Sequence, residues 1–305
     1  MTDHLSQKVW NILACPYCRG SLSKTEHGAQ CRECHRKFPL SNKSQLDLRL
    51  KRRKAYKLDF EVGIDWQKEI DFGFEPLQKN SSPQVDFTKI KIPWHLSKEL
   101  MSYFPKARSE DSLMLDLGCG KAAHKTVCQT AGFEYVGLDF NSPAAEILGD
   151  GHALPFKDHS FEFVLSMAVL EHIQYPFIAM KEIYRVIKPE GKFIGTVAFL
   201  EPFHGNSFYH HTHLGIFNSL NFAGFHVKTV APRKGWPVMM NLLKIGVLPK
   251  LPLFMAKVML LPLHWLHLMW WKMGYMITHL DTATEAQRIL KNCDEFSFVA
   301  EKRQK

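Results

Sequence analysis

The 305-residue sequence predicts an α/β protein with an open, largely parallel sheet. A small metal-stabilised module precedes the sheet, and an apolar helical insertion interrupts it before the last strand. Three observations carry that expectation. Four cysteines near the N-terminus stand as two C-x2-C pairs. In mid-chain a short apolar strand runs into a glycine turn and a helix, with an aspartate at the end of the next strand. A stretch rich in Trp, Met and Leu, residues 236–277, comes before the final strand.

The front module is Cys15, Cys18, Cys31 and Cys34 in the pattern C-x2-C-x12-C-x2-C. Each pair sits on a tight turn that aims two thiolates at one point, and two such turns close a tetrahedral zinc site. Four protein ligands leave no open position, so the zinc is expected to be structural. His35 is an alternative to Cys34 as the fourth ligand. Seven cysteines in a chain that begins without an apolar signal-type stretch suggest thiols and metal ligands, not disulfides. The expectation is a cytoplasmic protein. The segment "NILACPYCRGSL…CRECHRKFPL", within residues 10–48, resembles the zinc ribbons related to the activator subunit of tRNA and protein methyltransferases. The ribbon is assigned to residues 1–50. Residues 51–112 are read as a linker and N-terminal helices. They open on the basic run Lys51–Lys54 and include "PWHLSKELMSYFP", a helix beginning near Pro93.

Within "SLMLDLGCGKAAHKTVCQTAG" the strand is Leu113–Leu117 and the helix runs to Gly132. A strand, glycine turn and helix N-terminus together present bare N–H groups and permit close approach of a ligand. The next strand, "YVGLDF", ends in Asp139, about 20 residues on, where an acid reaches ribose hydroxyls. Two blocks follow in order, "GDGHALPFKDHSFEFVLSMAVLEHI" and "EIYRVIKPEGKFIGTVAF". This set resembles the class I S-adenosylmethionine-dependent methyltransferases, nearest the ubiquinone/menaquinone subgroup. The resemblance implies a Rossmann-like sheet of seven strands over residues 113–305, with the insertion at 233–293. It implies that Asp116, Gly118 and Gly120 surround the methionine part of S-adenosylmethionine and that Asp139 holds the ribose. Asp150, Gly151, His152 and Ala153 would hold the adenine. Met167 and Ala168 would lie beside the sulfonium, and Glu171 and His172 would close that edge on the substrate side. One departure is Lys121-Ala122-Ala123-His124 in place of a third glycine, where alanine is expected to preserve close packing. A nicotinamide-binding fold is the rival for a glycine turn plus distant acid, and the "DGHALPF…VLEH" block argues against it.

Residues 191–199 read as a strand ending at Phe199, so "EPFHGNSFYHHTHLG" emerges on the cofactor side of the sheet. Methyl transfer from a sulfonium needs an aligned acceptor and a route for its proton. One of His210, His211 or His213 is therefore expected to be a general base, with Tyr209 and His204 orienting the acceptor. A metal held by His211-x-His213 and a plain structural role remain as alternatives, and no single histidine stands out.

The insertion carries Lys244, Lys250, Lys257 and Lys272, and its longest uncharged run, Val258–Trp271, has 14 residues. A span needs about 20, so the run is read as too short to cross a membrane. It suits a surface segment at the inner face of a membrane, an apolar lid over a greasy substrate, or an ordinary helical subdomain. Charge is uneven: residues 1–58 carry a net +9, residues 59–235 carry −4 and residues 236–305 carry +4. The leading expectation is O-methylation of a hydrophobic small molecule, lipid or lipid-linked sugar. The alternatives are an RNA base methyltransferase, which the basic front would suit, and a module that depends on a partner methyltransferase. Nucleic acid is the weaker fit, because aromatic residues cluster away from the basic segment.

Overall fold

A computed structural model describes residues 5–60, 70–93, 95–202, 205–234, 237–278 and 285–304. The ribbon opens with α1 (Gln7–Ile12), whose N-cap Ser6 hydroxyl accepts the Val9 N–H at 3.2 Å. Strands β1 (Leu22–Thr25), β2 (Gly28–Cys31) and β3 (Lys37–Pro39) form an antiparallel sheet in that order. The chain then supplies β4 (Leu46–Asp47), which leaves the ribbon and joins the main sheet.

The main sheet starts with β5 (Leu113–Leu117), buried at every residue, as a strand covered on both faces must be. It continues with α3 (Lys125–Thr130), β6 (Glu134–Asp139), β7 (Ile147–Leu148) and β8 (Phe161–Met167). Then come α4 (Pro176–Val186), β9 (Ile187–Ala198), α5 (His213–Ala223) and β10 (His226–Pro232). The insertion forms α6 (Pro237–Asn241), a π-helical stretch Leu242–Val247, α7 (Leu253–Thr278) and α8 (Glu285–Asn292), before β11 (Glu295–Glu301). The strand order is β10-β11-β9-β8-β5-β6-β7-β4. Pairs from β4 through β9 are parallel, and β11 runs antiparallel to both β9 and β10. From β5 the chain winds outward to β6 and β7, then crosses back to β8 on the other side. That reversal is the switch point where open α/β sheets bind ligands.

Seven strands come from residues 113–301, as the sequence leads one to expect, and the ribbon tail adds an eighth at the edge. The ribbon is not an appended bead. Ala14 N–H donates to Pro155 O at 2.9 Å, Lys157 N–H to Ile12 O at 2.8 Å and Leu48 N–H to Leu148 O at 2.8 Å. Leu13, Phe38, Leu46 and Leu48 share one buried cluster with Leu138, Ile147, Phe156 and Ile183. The basic run read as a linker is tied down too. Lys51 Nζ lies 2.8 Å from Asp47, the Lys51 and Arg52 N–H groups donate to Tyr17 Oη, and Lys54 Nζ donates to Pro16 O.

Two local expectations change. The helix read from Pro93 is the four-residue α2 (Lys98–Met101), capped by Ser97, because His95 sits at φ 66°, a conformation no helix continues through. In the insertion α7 runs 26 residues straight through Pro262, so the uncharged run understated its length. The lysines that end the run belong to the same helix.

Candidate active site

The thiolates come first. The four cysteine sulfurs lie within 4.8 Å of one another, with Cys15–Cys34 at 3.7 Å and Cys18–Cys31 at 3.4 Å. Zinc–sulfur bonds of about 2.3 Å in a tetrahedron place sulfurs about 3.8 Å apart, so the set fits zinc. His35 is outside the group, leaving Cys34 as the fourth ligand. All seven cysteines are free of disulfides.

At the end of β5 the glycine turn is pinned by the end of β6. Asp139 Oδ2 accepts the Gly120 N–H at 3.0 Å, and Oδ1 accepts the Asn141 and Ser142 N–H groups at 2.9 and 2.8 Å. The Ser142 hydroxyl donates to Gly120 O. Gly118 (φ 71°) packs against Val169, where an added Cβ would come within 2.3 Å of a methyl carbon. Gly120 (φ 51°) faces open space, with nothing within 4 Å of an added Cβ. Asp116 supports the turn from beneath: it is fully buried, Oδ2 accepts the Tyr135 hydroxyl at 2.8 Å and faces His124 at 3.4 Å, while Oδ1 has no partner. A buried acceptor without a donor, under a turn with room above it, fits a cofactor that carries an ammonium group. S-adenosylmethionine, the cofactor the resemblance implies, would supply a methyl on a sulfonium there, an electrophile that needs no further activation.

Ala122 takes φ 54°. The position that lacks the third glycine therefore demands glycine's conformation as well as its size, and alanine meets that demand at a cost of roughly 1 kcal/mol. Ala122→Gly is expected to raise unfolding free energy by about 1 kcal/mol in a urea titration. An unchanged midpoint would show that the backbone carries no strain there.

On the adenine side, Asp150 Oδ1 accepts the His152 N–H at 2.9 Å and meets its ring Nδ1 at 2.6 Å. Burial pushes the Asp150 carboxyl up, but the His152 contacts outweigh it and hold the pKa below the usual value. His152 Nε2 in turn accepts the Tyr175 N–H at 3.0 Å. Gly151 and Ala153 complete this loop, with Ala153 N–H donating to Asp150 O at 2.9 Å. The ribbon's exit segment crosses the same edge: the Arg49 guanidinium donates to Phe140 O at 3.1 Å, and the Tyr56 hydroxyl donates to His152 O. Sequence reasoning missed this strap, because "KRRKAYKLDF" has neither periodicity nor a turn signal. Met167 is buried, and Ala168 at φ 54° donates its N–H to Thr196.

The histidines separate. His210 and His211 line a 410 Å³ cavity with Leu58, Phe60, Tyr175 and Phe177, and Tyr209 borders it. His211 is 6% exposed, its Nδ1 has no partner, and burial takes its pKa down to about 4. His213 turns away to pack on Phe74 and Phe296, at 4.4 and 5.7 Å between centroids. Among the described residues, no group of three or more potential metal ligands includes His211 or His213. His204 lies outside the described residues, and His172 is exposed. Glu171 is 0% exposed and neither carboxyl oxygen has a partner. Burial, the largest cause, takes its pKa up to about 7 against the nearby Ala198 N–H. Its carbonyl accepts the Phe208 and Tyr209 N–H groups, while His211 N–H donates to Ala198 O at 2.8 Å. The Glu171 backbone thus holds the loop at Phe208 and Tyr209, and His211 is anchored at the end of β9. Among the described residues the insertion supplies none of the cavity's lining, which comes from the ribbon strap, the start of α4 and the start of α5.

Comparison with known proteins agrees with this geometry. Residues 115–195 match the family described as a methyltransferase domain, and residues 6–42 match the Trm112p-like protein family. An uncharacterized protein of Methanocaldococcus jannaschii is 31% identical over 140 residues, covering 43% of this chain and 57% of that protein. The demethylmenaquinone methyltransferase of Streptomyces griseus is 34% identical over 92 residues, covering 27% of this chain and 40% of the relative. The chain thus spans about half the length of these curated relatives. A solved complex of the Haloferax volcanii Trm112 methyltransferase activator with a putative methyltransferase aligns at 18% identity and TM-score 0.44, over 69% of this chain and 90% of that one. Residues 115–195 thus carry a methyltransferase domain behind a Trm112p-like ribbon at residues 6–42, whose four cysteines fit zinc.

Proposed function

We propose that this methyltransferase domain, with its ribbon built into the same chain, moves the methyl group of S-adenosylmethionine to a hydroxyl on a hydrophobic acceptor. The observation that carries the reading is the aromatic cavity holding His210 and His211, one residue layer from the adenine loop through the Tyr175–His152 contact at 5.8 Å. Aromatic and aliphatic walls favour a planar or greasy acceptor over a charged one. In the reaction the carbon–sulfur bond breaks as the oxygen–carbon bond forms, and S-adenosylhomocysteine leaves. The hydroxyl proton passes to the protein. Glu171, with a pKa near the working pH, is the better matched proton acceptor, and neutral His211 with its free Nδ1 orients the hydroxyl.

Two observations weigh against the other readings. Lys51 and Lys54 already hold intramolecular partners, which weakens the basic run as a phosphate track. The β7 edge of the sheet is taken by the chain's own β4, which favours a self-contained unit over one that waits for a separate ribbon.

Asp139→Ala removes the acceptor for three N–H groups and the ribose contact together. Cofactor affinity is expected to fall about a hundredfold or more in calorimetry, and an unchanged Kd would end the ribose assignment. The acceptor class is tested by incubating protein, methyl-labelled S-adenosylmethionine and a cell extract, then separating organic-soluble, small polar, RNA and protein fractions. Label in the organic phase is expected. Label in RNA would overturn the hydrophobic-acceptor reading.

A further inference from the structure

Helix α7 is built the wrong way round for water. The residues it turns toward the rest of the protein recur at helical spacing: Ala256, Leu260, His264, His267 and Trp271 are buried or half-buried. The opposite arc, about 160° wide at 3.6 residues per turn, is apolar up to Lys272, which stands on the same edge as Phe254 near the C-terminal end of the helix. It carries Phe254, Val258, Trp265, Leu266, Met269 and Trp270, with Phe254 76% and Trp270 68% exposed. The histidines thus face inward with Trp271, while Trp265 and Trp270 face outward. Leu242, Ile245 and Val247 extend the apolar surface through the preceding π-helical turn. Lys257 and Lys272 border the arc on one side, and Lys244 and Lys250 stand just ahead of it.

Length and composition alone would let Leu253–Gly274 cross a bilayer. The topology does not. α7 lies between β10 and β11, which are hydrogen-bonded neighbours from His226↔Glu301 to Pro232↔Phe296. A single crossing would put these two strands on opposite sides of the membrane. Among the described residues, a return crossing would have to come from the eight-residue, polar α8 or from the segment before α7, whose helical part is the eleven residues Pro237–Val247. That covers about 16 Å at 1.5 Å per residue, against a hydrocarbon core of about 30 Å.

We propose that α7 lies within one leaflet of an anionic bilayer, its outward face among the acyl chains and its lysines among the headgroups, with both ends returning to the same side. A lipid surface is favoured over a second copy of the chain by the charge pattern: lysines bordering an apolar arc complement anionic headgroups, whereas they would repel their counterparts across a two-fold contact. The inference does not depend on the proposed reaction, since it concerns only where the chain sits.

The test uses the full, zinc-loaded protein and vesicles of phosphatidylcholine, with or without phosphatidylglycerol. Flotation with the mixed vesicles is expected, and tryptophan emission should shift to the blue and be quenched by lipids brominated in the upper acyl chain. Trp265→Ser and Trp270→Ser lie on exposed surface, so folding should survive. Each should weaken vesicle partition by about tenfold. Three results would overturn the proposal: no flotation of a monomeric protein, self-association that shields both tryptophans without lipid, or quenching only by lipids brominated at the bilayer centre.

Discussion

Replacing Cys15 with serine, or stripping zinc with a chelator, is expected to dismantle more than the ribbon. Structural zinc sites supply on the order of 10 kcal/mol of folding free energy, comparable to the whole stability of an ordinary domain. In this chain the ribbon's fate is shared. Its apolar residues lie in the cluster that also holds Val136, Leu138 and Ile147 under the cofactor edge. Its tail forms the edge strand beside β7, and the Gln45 side chain donates to the carbonyls of Ser142 and Ala145 in the turn after Asp139. Beyond the tail, Arg49 reaches Phe140 O and Tyr56 reaches His152 O, on the ribose and adenine sides respectively. Releasing the tail therefore frees both acid-bearing loops. The expected result is one cooperative loss: zinc content falls, the melting temperature drops by ten degrees or more, and calorimetric affinity for S-adenosylmethionine falls with it. A chelated protein that keeps its melting temperature and its cofactor affinity would mean that the two units fold separately. Loss of ribbon structure with unchanged cofactor affinity would mean that the strap is bystander packing.

Much of this arrangement is written locally, and what is not has a physical reason. The C-x2-C pairs and the strand, glycine turn and Asp139 are visible because each needs particular residue types at short spacing, and the structure brings each set together. The strap was unreadable because Tyr56, Leu58 and Phe60 act through tertiary contacts, without a repeating pattern. At Ala122 the close packing expected of alanine is met, but its φ of 54° was not legible, because sequence reports the size of a side chain while the turn constrains φ. The histidine cluster promised more than it holds. Four histidines within ten residues suggest one site, yet Thr212 caps α5 and the helix that begins at His213 turns that ring away from the cavity lined by His210 and His211. His211 and His213 accordingly part, one toward the cavity and one onto Phe74 and Phe296. For α7 the composition was legible and the orientation was not, because a helix that is apolar nearly all round gives periodicity little to act on.

Glu171→Gln is expected to separate stability from activity. A carboxyl with a pKa raised from 4.5 to about 7 binds its proton more tightly in the folded state. Its contribution to stability is therefore greatest below pH 4.5 and declines as the pH rises toward 7, by about 3 kcal/mol for a shift of this size. Glutamine cannot ionise and does not follow that decline. Wild type itself will not show the slope cleanly. His211, whose pKa falls to about 4 through burial, runs the other way between pH 4 and 6.5, and Glu295, also raised to about 7, adds to Glu171. His211 is common to the two proteins, and Glu295, which Glu171 helps to raise, relaxes in the variant, so the difference reports Glu171 together with its coupling to Glu295. That difference should move in the variant's favour by about 3 kcal/mol from pH 4.5 to 8 in urea titrations. Turnover should go the opposite way. Removing a proton acceptor costs on the order of a hundredfold to ten-thousandfold, and the acidic limb near pH 7 should vanish with it. A merely structural role for Glu171 would move the stability curve and leave the limb in place. Retained turnover with the limb intact would pass the proton to His211 instead, and His211→Asn should then carry the loss.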